Sequence, residues 1–139
     1  MEAFSDVARN CERLLAADGF PCEIRLLPGG MRLRPKPDAP IGSLSILHGL
    51  PVKELDLSST EVRDLSPLSE LHLTKLNLRG TPVEDLRPLA GLPLADLDLS
   101  FSGVVDLSGL ESSPIKRLAL RNVKVADLSP IEDLPICNL

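Results

Sequence analysis

The stretch ELDLSSTEVRDLSPLSELHLT, residues 54–74, is followed without a gap by KLNLRGTPVEDLRPLAGLPLA at 75–95. DLDLSFSGVVDLSGLESSPIK at 96–116 and RLALRNVKVADLSPIEDLPIC at 117–137 come next. Laid over one another, the four segments agree at a period of 21 residues. Leu55, Leu76, Leu97, Leu118 and Leu139 form one column, and Leu57, Leu78, Leu99 and Leu120 form the next. Thr60, Thr81, Ser102 and Val123 follow, then Val62, Val83, Val104 and Val125, then Asp64, Asp85, Asp106 and Asp127. Leu65, Leu86, Leu107 and Leu128, and after them Leu68, Leu89, Leu110 and Ile131, complete the unit. A fixed internal period of this length predicts one supersecondary unit per repeat, stacked on its neighbours to bury a shared core.

Within a unit the chemistry changes along the chain. Leu55 and Leu57 alternate with Glu54, Asp56 and Ser58, the period of two of a strand with one buried face. The same pattern predicts strands at 75–79, 96–100 and 117–121, stacked in parallel from unit to unit. Thr60, Thr81 and Ser102 fall where the chain leaves the strand, and a hydroxyl there can bond nearby backbone, which Val123 cannot. The D-L-S-P-L segment, as at 64–68, predicts a short helical turn capped by Asp or Ser. Pro67, Pro88 and Pro130 suit its first position, and Gly109 in the proline's place predicts a looser third unit.

The consensus L-x-x-L-x-L-x-x-T-x-V-x-D-L-S-P-L resembles the leucine-rich repeat, in its short bacterial form with Thr where longer repeats carry Asn. The resemblance spans residues 41–139, about four and a half coils. It implies an α/β leucine-rich-repeat solenoid with a parallel sheet on one face. Similar repeats occur in large bacterial multidomain proteins, some attached to kinase-like domains. An accessory regulatory domain of a signalling protein is therefore one implied role. The family shares a shape rather than an activity, so function has to be sought in the side chains.

Residues 1–40 read as a cap on the repeats. Phe4, Val7, Ala8, Cys11, Leu14 and Leu15 recur at helical spacing and predict an amphipathic helix over 2–17, stopped at Gly19 and Pro21. Residues 22–34 predict a hairpin turning at Pro28, Gly29 and Gly30. Its second strand, carrying Met31 and Leu33, is expected to be the first rung of the parallel sheet. Arg25, Arg32, Arg34 and Lys36 would share its solvent face. Residues 41–50 match 62–71 position by position, the return half of an imperfect first unit.

With 139 residues, 43% of them hydrophobic but only 2% aromatic, the chain suits one domain packed by Leu, Val and Ile. A formal charge of −5 argues against general binding to nucleic acid or an anionic membrane. No apolar run is long enough to span a bilayer, and the first residues lack a charged-then-apolar leader, so a cytoplasmic protein is expected. Cys11, Cys22 and Cys137 lack the spacing of a disulfide framework or zinc site.

No nucleotide-binding, nucleophile-elbow or metalloprotease spacing is present, and His48 and His72 are expected to be exposed loop residues. No enzyme activity, cofactor or metal is expected. The aspartate column is better suited to capping turns than to calcium, which needs several oxygens from one neighbourhood. The outward strand positions carry Glu54, Lys75, Asp96 and Arg117 in one row, a ladder of alternating sign. A second row is Asp56, Asn77, Asp98 and Ala119, and a third is Ser58, Arg79, Ser100 and Arg121. Phe101 stands where other units have Ser59, Gly80 and Asn122, either anchoring a partner or folding over Gly80. The expected function is protein–protein interaction through the concave sheet at Arg79, Asp98, Phe101 and Arg121. A structural spacer or self-assembly unit is the alternative. An uncovered last rung with exposed Leu118 and Leu120 would favour a homodimer through the carboxyl-terminal edge.

Overall fold

The computed structural model describes residues 13, 22–36 and 44–137. The helix expected over 2–17, apart from Arg13, and the link at 37–43 lie outside the described residues. The described chain is α/β in class: a six-stranded, mostly parallel sheet with a few short 3-10 helices. Strands β1 (Cys22–Leu27) and β2 (Gly30–Pro35) form an antiparallel hairpin. Strands β3 (Val52–Asp56), β4 (Lys75–Asn77), β5 (Asp96–Asp98) and β6 (Arg117–Ala119) then add in sequence order, each parallel to the last.

The register repeats the sequence period. Leu55 pairs with Leu76, Leu76 with Leu97, and Leu97 with Leu118. The hairpin's second strand is the first parallel rung, with Leu33 opposite Leu55. A bulge between Met31 and Arg32 admits Lys53 on the partner strand, and the backbone closes there so tightly that a Cβ on Gly30 would lie 2.6 Å from the Pro51 carbonyl.

Strands β4, β5 and β6 are three residues long where five were expected. Two local features turn the chain early. Asp56, Asn77 and Asp98 accept a hydrogen bond from the N–H two residues on, at Ser58, Arg79 and Ser100. The next residues, Ser59, Gly80, Phe101 and Asn122, then adopt positive φ, at 59°, 70°, 59° and 56°. Backbone bonds between units nevertheless continue past the strands, as in Leu78 N–H to the Asp98 carbonyl at 2.8 Å and Gly80 N–H to the Ser100 carbonyl at 2.9 Å.

Leucines fill the interior. Leu57, Leu78 and Leu99 are fully buried, as are Val83, Val104, Leu68, Leu89 and Leu110, which arrive from the return path. Each such side chain stabilises the fold by about 1.5–3 kcal/mol relative to exposure. The turn hydroxyls bond within their own unit: Thr60 donates to the Leu57 carbonyl at 2.6 Å, Thr81 to Leu78 at 2.7 Å and Ser102 to Leu99 at 2.6 Å. Short 3-10 helices at Ser66–Leu68, Arg87–Leu89 and Ser129–Ile131 take Pro67, Pro88 and Pro130 in their first turns.

Two further expectations need correction. The third unit has a turn at Ser108 and Gly109 instead of a 3-10 helix, but it is closer to its neighbour rather than looser. Gly109 has φ +109°, and a Cβ there would sit 2.6 Å from the Leu86 carbonyl. At the β6 end Leu118 is buried, 2% exposed, and Leu120 is half-buried; Leu120, Leu134 and Ile136 all pack against the core. Leu128 at this end is 47% exposed, although Leu65, Leu86 and Leu107 in its column are buried.

Candidate functional site

The outward rows of the sheet are ordered by charge. Arg32 lies 3.7 Å from Glu54, Arg34 lies 4.0 Å from Asp56, and Lys75 lies 4.0 Å from Asp96. Each pair joins neighbouring strands, so the amino-terminal half of the face neutralises itself. The basic face expected of the hairpin is thereby reduced to Arg25 and Lys36, both exposed.

The four residues expected to bind a partner are treated differently by the fold. Arg79 and Phe101 come together, with the guanidinium carbon 4.7 Å from the ring centroid. The ring does not bury itself over Gly80, and Phe101 stays 43% exposed. Arg121 is exposed on the far side, its carbonyl accepting the Phe101 N–H at 2.8 Å and its own N–H bonding the Ser100 hydroxyl oxygen at 3.2 Å. Ser100 itself is buried. Asp98 has a local duty instead: one carboxylate oxygen accepts the Ser100 N–H at 2.9 Å and sets the turn that presents Phe101.

Phe101 is therefore held in the left-handed region at φ 59°, where other units use Ser, Gly or Asn. That conformation costs a residue with a Cβ about 1–2 kcal/mol, and a bulky side chain there is an outlier. Gly80 and Asn122 in the same column are the signal for this backbone angle in the sequence; the alternation that marks the strand carries none. Val105, 57% exposed four residues on, was missed; its column otherwise holds Arg63, Glu84 and Ala126.

The aspartate column closes turns on the opposite side. Asp64, Asp85, Asp106 and Asp127 accept the N–H of Ser66, Arg87, Ser108 and Ser129, each at 2.9 Å. These contacts come one residue ahead of the expected cap position, with Leu65, Leu86 and Leu128 at the helix start. Side-chain and backbone hydrogen bonds from Ser66, Ser108 and Ser129 lower the carboxyl pKa of Asp64, Asp106 and Asp127. At Asp85 the Arg87 side chain, with its backbone N–H, lowers it to about 2. Among the described residues no group of three His, Cys, Asp or Glu side chains could hold a metal ion. His48 and His72 are exposed, and His48 Nδ1 lies 3.0 Å from Glu70. No helix among the described residues is long and apolar enough to cross a membrane. No family model and no curated protein matches the sequence.

Proposed function

We propose that the chain is a leucine-rich-repeat solenoid that binds another protein through its concave sheet, with no catalytic role. Phe101 is the anchor, Arg79 and Arg121 flank it, and Asp98 fixes the turn that presents it. The single observation behind this reading is the backbone of Phe101: a half-exposed aromatic residue in a left-handed conformation that its column otherwise fills with Ser, Gly or Asn. Strain of this kind persists where the surrounding structure over-determines it, and it clusters at functional sites. Aromatic residues, Phe among them, and arginine are also enriched in protein interfaces.

Phe101→Asn tests the proposal. Asparagine tolerates the left-handed region, so relief of strain offsets the lost ring contact, and stability should stay within about 1 kcal/mol of the parent. Proteins captured from an extract of the source cells by the immobilised parent chain should be lost on the variant. Identical captured sets would exclude the proposal, and a loss of several kcal/mol would make Phe101 a packing residue instead.

A further inference from the structure

We infer that the surface around Phe101 takes an extended acidic peptide, one carboxylate meeting Arg79, another meeting Arg121, and an apolar side chain lying against the ring between them. This inference rests on the protein-binding reading of the same face. Its basis is the uneven distribution of charge along the sheet. Arg32, Arg34 and Lys75 each face a carboxylate on the next strand. Among the described residues, Arg79, Arg117 and Arg121 form no ion pair, although all three are exposed. Of the carboxylates nearest them in the rows, Asp96 stands opposite Arg117 but pairs with Lys75 at 4.0 Å, and Asp98 has one oxygen bound to the Ser100 N–H. A chain of formal charge −5 thus carries a local excess of positive charge around its exposed aromatic residue.

Spacing narrows the ligand. Arg79 and Arg121 follow β4 and β6, two strands apart, which places their backbones about 10 Å from each other. An extended peptide covers that distance in about three residues. Two acidic residues three apart, with an apolar residue between, match the surface. A nucleic acid fits less well. Arg79 occupies a face of the ring that a base would stack on, and Asp98 and the overall negative charge oppose a continuous polyanion.

The experiment is selection of short random peptides on the immobilised parent chain, with Phe101→Asn as a parallel target. Selected sequences should be enriched in Asp or Glu at two positions three apart. Binding of a synthetic winner, read by fluorescence anisotropy, should weaken with added salt and by about tenfold in Arg121→Gln. Circular dichroism establishes that each variant is folded. Neutral or basic winners that fail to bind Phe101→Asn would overturn the acidic ligand and leave the binding face intact. Winners that bind Phe101→Asn equally, or no enrichment at all, would overturn both. An oligo-dT probe binding more tightly than the acidic peptide would replace the peptide with a nucleic acid.

Discussion

At the scale of single residues, position in the repeat decides which departures matter. Ser113 stands in the column of Leu71 and Leu92, both buried, and is itself 3% exposed. Its hydroxyl finds no hydrogen-bond partner among the described residues. A buried hydroxyl of this kind is destabilising, so Ser113→Ala should raise stability by about 1 kcal/mol, measured as a shift in urea midpoint at constant slope. An unchanged or lowered midpoint would mean that the hydroxyl is satisfied in solution. Ser113 was visible in the sequence as a break in the leucine column, but its lack of a partner was not. Asp98 shows the reverse case: its outward place in the strand was legible, whereas the capture of its carboxylate by Ser100 depends on a turn that hydropathy does not encode.

At the scale of elements, the turns determine both acid sensitivity and tolerance to substitution. Folding lowers the aspartate pKa values, from 3.8 to about 2 at Asp85. The folded state therefore binds protons less readily than the unfolded chain. The associated stability is complete above the unfolded value and is lost as pH falls from 3.8 through about 2. Asn77 already closes an equivalent turn with its amide oxygen, so Asp85→Asn should keep the turn and flatten the decline of melting temperature in that window. A decline as steep as the parent's would place the acid sensitivity elsewhere. Gly109 gives a sharper test. Gly109→Pro restores the residue found at positions 67, 88 and 130, yet proline cannot adopt φ +109° and would remove the N–H that donates to Glu111 at 2.7 Å. Destabilisation of about 3 kcal/mol or more is expected in urea denaturation, despite the improved match to the repeat. A stabilised variant would show that the third unit can revert to the 3-10 turn of its neighbours. The repeat pattern made the turns legible as turns; it could not show that one of them had exchanged proline for close contact with Leu86 and Arg87.

At the scale of the whole molecule, the strand order and register from β3 to β6 were readable because each pairing there joins residues 21 apart, and the buried columns could be assigned without any three-dimensional information. Strand length was not, because it is set by positive φ after each strand rather than by the alternation that marks it. The charged row along Arg32, Glu54, Lys75, Asp96 and Arg117 has a further consequence: it gives the array a parity. Excising residues 75–95 would set Glu54 beside Asp96, like against like. Excising 75–116 would set Glu54 beside Arg117 and preserve the alternation. Like charges directly opposite one another are destabilising, and salt screens them. Melting temperature against ionic strength should therefore rise, relative to the parent, in the chain shortened by one unit and not in the chain shortened by two. Parallel salt curves for all three would remove the row from any role in ordering the sheet. If the curves diverge as expected, copies of this unit can be gained or lost at least cost in pairs, a rule of even and odd imposed by side chains that never enter the core.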